Sequence, residues 1–238
     1  MATFVISHGA WSSGWAWKKM RPLLRAAGHE VFTPSYTGLG ERSHLATPEV
    51  GLDTHIQDVV NVLFYEDLSD VILVGHSYGG MVATGVADRA SERIRKVVYL
   101  DAFVPKDGQC LNDLTRRPPE AAPDAPTGGP PPAEGWLVPP MPPSRDASPG
   151  DLAWVNARRG PQPRKTFSEP VHLTGAIDRL PRIYVKCLQI NPGDVFEQFA
   201  ACARSEPGWQ YEEIDATHSP NVTAPDKLAE ILLRIAAD

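Results

Sequence analysis

Short runs of β-branched and other apolar residues alternate with amphipathic stretches along most of the chain. The run at 71–75 (VILVG) is almost continuously apolar, which is typical of a strand buried on both faces of a sheet. The pattern predicts strands at 3–7, 30–35, 71–75, 95–101, 182–188 and 209–214. Helical periodicity predicts helices at 15–27, 52–65, 81–90, 194–205 and 225–237. This alternation predicts an α/β fold with a doubly wound, mostly parallel sheet of about six strands.

The segment 105–170 interrupts this alternation, because it contains 16 of the chain's 24 prolines. Proline lacks a backbone donor and blocks helix interiors, so we expect no sheet strand here and few helical turns. One interpretation is a disordered linker between two domains. Against it, the segment carries large apolar side chains that a linker does not need: Trp136, Leu137, Trp154 and Phe167.

The elements on either side of this segment decide the domain organisation. The chain after it has two predicted strands and two predicted helices, which are too few for a hydrophobic core of their own. We therefore expect 1–104 and 171–238 to form one α/β core. We expect 105–170 to fold over the sheet edge as a Pro-rich cap insertion, with a mobile part at about 118–150.

Composition and charge narrow the possible functions. The net charge of −6 over 238 residues argues against a nucleic-acid partner, because a phosphate-binding surface needs a basic excess. No apolar run approaches the ~20 residues that span a bilayer, and the segment MATFVISHGAW lacks the features of a signal peptide. We expect a cytoplasmic protein without a membrane partner. Cys110, Cys187 and Cys202 lack metal-like spacing, so we expect reduced thiols and no metal site.

The strongest chemical signal is the motif GHSYGG at 75–80, between the apolar run and a predicted helix. It fits G-x-S-x-G, in which a serine occupies a sharp strand-to-helix turn and its hydroxyl projects above the sheet. A glycine-rich turn with an incidental serine is the alternative. The position between a buried strand and a helix favours Ser77 as a nucleophile.

A second motif, HGAW at 8–11, follows the first predicted strand. Acyl transfer passes through a tetrahedral oxyanion, which needs two preorganised hydrogen-bond donors. We expect one from the backbone N–H of Tyr78, directly after the nucleophile, and the other from Ala10. An ordinary turn after a strand is the alternative for this loop.

The general base is predicted from chain order. In folds with this type of turn, the base histidine follows the last strand. His218 is the only one of the seven histidines after the last predicted strand. We therefore expect His218 to take the proton of Ser77.

These segments resemble a known family. HGAW, GHSYGG and the segment THS at 217–219 are similar to those of the α/β-hydrolase group that includes plant methyl esterases, hydroxynitrile lyases and small bacterial esterases. The resemblance covers about 3–110 and 180–238. It implies the α/β-hydrolase fold, Ser77 as nucleophile, His218 as base, and an oxyanion hole made by Ala10 and Tyr78.

The acidic residue that would orient His218 is not at the position where that family has it. The plant enzymes carry an aspartate just after the second-to-last strand, where this chain has the apolar Ile190. Asp101 ends the predicted strand beside the nucleophile strand, in a context (LDAFVP) that is similar to the acid site of many lipases. We assign Asp101 as the acid and expect Asp194 to face solvent or cap its own helix. Asp194 and Asp215 remain alternatives.

Three positions favour hydrolysis over cyanide release. The lyases that resemble this group have threonine at the position of Gly9, lysine at that of Ser219, and another residue in place of His76. The sequence therefore predicts a serine esterase that forms an acyl-enzyme and needs no cofactor. A hydroxynitrile lyase and a ligand receptor with slow or absent hydrolysis are the alternatives.

The motifs do not determine which substrate the enzyme prefers. Activated carbamates or amides of aromatic compounds are further candidate substrates, because bacterial relatives include enzymes that act on such compounds. We expect a small-molecule ester with an apolar or aromatic part, bound by side chains that could equally be ordinary core: Trp11, Phe103, Trp136 and Trp154.

Overall fold

The computed structural model describes residues 1–115, 135–141, 147–189 and 194–238. The strands in these ranges are β1 (Thr3–Ser7), β2 (Glu30–Phe32), β3 (Val71–His76), β4 (Ile94–Leu100), β5 (Leu137–Val138), β6 (Gln162–Pro163), β7 (Arg182–Cys187) and β8 (Trp209–Ile214). The α-helices are α1 (Met20–Ala26), α2 (Leu52–Tyr65), α3 (Gly79–Arg89), α4 (Leu111–Thr115), α5 (Pro149–Asn156), α6 (Lys165–Ser168), α7 (Glu197–Ser205), α8 (Pro220–Thr223) and α9 (Pro225–Ala237).

Six strands form one sheet in the order β2-β1-β3-β4-β7-β8. Every neighbouring pair in it is parallel. The predicted sheet of about six strands is therefore confirmed. Because parallel strands point the same way, the loops after β1, β3, β4 and β8 meet at the carboxyl edge, where open α/β sheets bind ligands.

Helices cover both faces of the sheet. Side chains of α1 and α9 pack on one face, against strand residues such as Phe4 and Ile72. Side chains of α2, α3 and α7 pack on the other face, against residues such as Val5 and Leu73. Successive strand residues point to opposite faces, so a strand covered on both sides must be apolar throughout. The central strand β3 is buried at all six positions.

The predicted helix at 15–27 is two elements instead of one. A 3₁₀ turn spans Gly14–Trp17, and α1 begins only at Met20. Pro22 lacks an N–H and therefore fits only the first turn of a helix, which accounts for the late start of α1. The predicted strand at 30–35 ends earlier, at Phe32, just before Thr33 and Pro34.

The Pro-rich segment has more structure than its composition predicts. Its described residues include α4, α5, α6 and an antiparallel pair formed by β5 and β6. The expectation of no strand is therefore wrong, although each strand has only two residues and neither joins the main sheet. Pro163 is tolerated because it ends such a short pair. The predicted mobile part at about 118–150 falls largely on 116–134 and 142–146, outside the described residues.

None of the helices in the described part of the chain is long and apolar enough to cross a bilayer. The cysteines in this part are unpaired thiols, with Cys110 and Cys187 buried and Cys202 exposed.

Candidate active site

Ser77 lies on a sharp turn between β3, which ends at His76, and α3, which begins at Gly79. Its φ of 56° is in the left-handed region, which costs a non-glycine residue about 1–3 kcal/mol. The helix can approach this closely only because its first residues are glycines. A Cβ atom on Gly79 would lie 2.0 Å from the carbonyl oxygen of Ser7, and one on Gly80 would lie 2.1 Å from that of Phe103.

His218 connects Ser77 with Asp101. Its Nε2 lies 3.0 Å from Ser77 Oγ, and its Nδ1 lies 2.7 Å from Asp101 Oδ2. An ionised carboxylate can only accept hydrogen bonds, so Nδ1 carries the proton and donates a hydrogen bond to Asp101. In a neutral ring, Nε2 is then the acceptor for the Ser77 hydroxyl. The structure therefore brings together the three residues predicted from the sequence, in an orientation suited to proton transfer from Ser77.

Asp101 follows β4 directly and its side chain is only 4% exposed. Burial by itself acts to raise the pKa of this carboxyl group. The hydrogen bond from His218 and the electrostatic interactions with His218 and Lys186 act in the opposite direction and hold the pKa below its usual value. Asp101 is therefore an ionised, buried acceptor for the imidazole.

Lys186, in β7, is a buried cation that sequence reasoning did not find. Its side chain is 2% exposed, and its Nζ lies 3.0 Å from Asp101 Oδ1 and 2.9 Å from Asp194 Oδ2. Burial acts to lower the pKa of this ammonium group, but the two carboxylates raise it above the usual value. A lysine among the mostly apolar residues that follow Arg182 in the strand RIYVKC was the one available signal, because a buried charge needs a partner.

The two alternative acids have other partners than His218. Asp194 was expected to face solvent or to cap its own helix; its side chain is 12% exposed and pairs with Lys186. Its Oδ1 also accepts a hydrogen bond from the N–H of Phe196 at 2.9 Å, just before α7 begins. Asp215 is exposed and pairs with Lys227 at 3.0 Å. Ile190 lies outside the described residues.

Two aromatic rings hold His218 in place. Phe196, which the sequence analysis missed, stacks on the imidazole with ring centroids 4.7 Å apart. His76 Nε2 donates a hydrogen bond to the carbonyl oxygen of His218 at 2.7 Å. Burial, together with the nearby charge of His218, lowers the pKa of His76 to about 3. His76 is therefore a neutral brace for the His218 loop.

The loop at Ala10 is tied to the Pro-rich segment. Trp11, the next residue, has a φ of 56°. Its backbone N–H donates to Gln162 Oε1 at 2.8 Å, and its Nε1 donates to the carbonyl oxygen of Val138 at 3.1 Å. The backbone N–H groups of Ala10 and Tyr78 donate no hydrogen bond to another described residue.

The four aromatic residues predicted to bind substrate divide into two pairs. Trp11 adjoins Ala10, and Phe103 packs 4.8 Å from Phe196, the ring that stacks on His218. Trp154 instead packs edge-on against Trp15 at 5.1 Å. Among the described residues, neither Trp136 nor Trp154 makes a ring contact with His218. Their role in substrate binding stays a prediction.

Comparisons with known proteins agree on the family. The model of the Alpha/beta hydrolase family matches residues 4–231. A carbendazim hydrolyzing esterase of Nocardioides sp. (strain SG-4G) is 43% identical over 248 residues, which cover 98% of each chain. Salicylic acid-binding protein 2 of Nicotiana tabacum is 38% identical over 109 residues, 43% of this chain and 40% of the relative.

A solved structure gives the same result at the level of the fold. It is an extracellular alpha/beta-hydrolase from a Paenibacillus species, described as sharing structural and functional homology with tobacco Salicylic Acid Binding Protein 2. It is 25% identical, with a TM-score of 0.81 and coverage of 98% of both chains. The chain therefore belongs to the alpha/beta hydrolase family, and the predictions of this fold and of an ester hydrolase are confirmed.

Proposed function

We propose that this esterase works through an acyl-enzyme on Ser77, with His218 as general base and Asp101 as the acid that orients it. The observation that carries the proposal is the continuous chain of contacts, 3.0 Å from Ser77 Oγ to His218 Nε2 and 2.7 Å from His218 Nδ1 to Asp101. Ser77 is half-buried and His218 is 31% exposed, so a small molecule can reach both.

The reaction has two halves. His218 Nε2 takes the Ser77 proton as Oγ attacks the ester carbonyl, and the imidazolium then gives that proton to the leaving alcohol. Water attacks the resulting acyl-Ser77 with His218 again as base, which releases the acid and restores the hydroxyl. Asp101 stabilises the imidazolium in both halves and keeps Nδ1 protonated.

The oxyanion of each tetrahedral intermediate binds to the N–H groups of Ala10 and Tyr78. Tyr78 directly precedes α3, so the positive end of the helix dipole adds to the field at this position. Trp11 is fixed by Gln162 at 2.8 Å, which limits rotation of the peptide beside Ala10. Preorganised donors of this kind are worth about 2.7–4 kcal/mol each in transition-state stabilisation.

The preferred substrates are esters and activated carbamates with an apolar or aromatic part. Trp11 and Phe103 place apolar side chains near Ser77 and His218, and Val138 and Gln162 of the Pro-rich segment hold Trp11 in position. Carbendazim is the first carbamate to test, because a relative 43% identical over nearly the whole chain hydrolyses it.

A substrate panel tests this proposal. We expect turnover of p-nitrophenyl acetate and of carbendazim, with kcat/KM for benzyl acetate at least about tenfold higher than for ethyl acetate, since burial of a ring adds apolar contact. The acyl and alcohol parts are varied separately, and release of cyanide from mandelonitrile is measured in parallel. Ligand binding without turnover of any ester, or cyanide release without ester hydrolysis, would contradict the proposal.

A further inference from the structure

Three charged side chains are buried together behind His218. Asp101, Lys186 and Asp194 have side chains that are 4%, 2% and 12% exposed. Lys186 stands between the two carboxylates, at 3.0 Å from Asp101 and 2.9 Å from Asp194. Burial of an ammonium group costs several kcal/mol unless it is paired. A fold that needed only packing at this position would carry an apolar residue in β7.

The Lys186 ammonium is enclosed by its own partners, with its side chain only 2% exposed. Its Nζ donates hydrogen bonds to Asp101 Oδ1 and to the carbonyl oxygen of Cys187, the latter at 2.8 Å, and forms an ion pair with Asp194 Oδ2. Lys186 therefore acts on the reaction only through Asp101, by position and by charge.

We propose that Lys186 is a positioning residue for the reaction, which anchors one oxygen of Asp101 so that the other faces His218, and which sets the pH range of activity with Asp194 as its counter-charge. This inference rests on the proposed function.

The anchoring follows from how the Asp101 oxygens are shared. Oδ1 accepts from Lys186 at 3.0 Å and lies 3.4 Å from the N–H of Cys187, whereas Oδ2 accepts from His218 at 2.7 Å. With Oδ1 held, the carboxylate cannot turn about its Cβ–Cγ bond, and Oδ2 stays in line with Nδ1. A hydrogen bond from a neighbouring buried side chain maintains the geometry of a catalytic group in this way.

The electrostatic part follows from the charges around His218. Of its described neighbours, Phe196 is apolar, Ser77 is uncharged, and His76 is neutral because its pKa is lowered to about 3. The charged groups are Asp101 and, behind it, Lys186 and Asp194. Lys186→Met would remove the one cation from this group of three charges, and Asp194→Asn would remove one of its two anions.

The test is the pH dependence of kcat/KM for p-nitrophenyl acetate, whose acid limb reports protonation of the base. In Lys186→Met we expect the midpoint of that limb to move up by about one pH unit, because loss of the buried cation leaves the negative charges near the imidazole unopposed. In Asp194→Asn we expect it to move down by roughly 0.5 pH unit. The double variant keeps the net charge of the original network, and its midpoint should lie close to that of the unmodified enzyme.

A matched control is Lys227→Met, which removes the exposed partner of Asp215 and should leave the profile unchanged. A lysine that only braces the fold would lower kcat or thermal stability without moving the midpoints in opposite directions. If Lys186→Met does not fold, Asp194→Asn and the double variant decide the question. An unmoved midpoint in folded Asp194→Asn overturns the inference, whereas an unmodified enzyme without esterase activity overturns the proposed function instead.

Discussion

Asp101 combines two features that are rare for an aspartate. Its backbone has a φ of 41°, and its side chain is buried and charged. Of the five described non-glycine residues with positive φ, Trp11, Ser77 and Asp101 all belong to the candidate site. Strained backbone persists where the surrounding structure enforces it, and it concentrates at functional sites. The strain therefore supports two of the residues that the hydrogen bonds join, Ser77 and Asp101, together with Trp11 in the loop beside Ala10.

Asp101→Asn tests the acid at the scale of one residue. The amide keeps the shape of the carboxylate but lets the imidazole adopt the wrong tautomer, a change that costs about 10⁴ in kcat in a serine protease. We expect kcat to fall by at least about 10² here, and Asp194→Asn to cost less than about tenfold at its own pH optimum. Both values come from steady-state kinetics.

Thermal unfolding of both variants serves as the control, because Asp101 also pairs with Lys186 at 3.0 Å. If folded Asp194→Asn loses more activity than folded Asp101→Asn, the two carboxylates have been assigned the wrong way round.

At the scale of elements, the ends of β1, β3 and α2 bury three histidines beside the site. His8 stacks on Tyr36 at 3.8 Å, and His55 stacks on the other side of the same residue at 4.7 Å. Burial lowers the pKa of His8 to about 4 and those of His55 and His76 to about 3. All three rings are neutral in the folded protein at neutral pH.

The stability of the fold should therefore depend on pH. Between pH about 6.5 and 4, these histidines bind protons in the unfolded chain but not in the folded one, so acid favours unfolding. Each should remove up to about 1.4 kcal/mol of unfolding free energy per pH unit within that window. Urea unfolding at pH 7, 6 and 5 measures this slope.

His55→Asn is the matched variant for this dependence. It should be less stable at pH 7, yet its free energy of unfolding should fall less steeply toward pH 5. The difference in slope should correspond to about one proton fewer taken up on unfolding. Equal slopes for the two proteins would show that His55 does not stay neutral in the fold.

Local patterns predicted most elements but not the contacts between them. The bounds of β1, β8, α2 and α9 agree with the predictions, because each carries a regular apolar period between clear breaks. The 15–27 prediction failed at Pro22, where a local rule about proline outweighs periodicity. The two-residue pair of β5 and β6 is too short to leave a pattern.

In the candidate site, too, local patterns predicted individual residues but not the contacts between them. Ser77 and His218 were predictable because each lies in a motif or at a fixed place in chain order. Lys186 and Phe196 were not, since their roles arise from contacts with Asp101 and His218 that lie far away in sequence. Long-range charge pairing leaves no periodic signal in a single chain.

At the scale of the whole molecule, the Pro-rich segment is attached to the core at several points. Trp11 binds both Val138 and Gln162, and Lys19 forms an ion pair with Asp151 at 2.5 Å. Gln162 is fully buried, and its Nε2 donates to Thr166 Oγ1 at 2.8 Å. The described part of this segment is therefore packed against the loop that carries Ala10, where a cap over the site is expected to lie.

Covalent modification of Ser77 tests the proposed chemistry most directly. The protein is treated with a fluorophosphonate, digested, and the adduct is located by mass spectrometry while esterase activity is followed. We expect one adduct per chain on Ser77, with activity lost in proportion, and no adduct in Ser77→Ala. That variant should lose about 10⁶ in kcat and keep its fold. An adduct on another residue, or a Ser77→Ala variant that keeps more than about a hundredth of kcat, would contradict the assignment of Ser77 as the nucleophile.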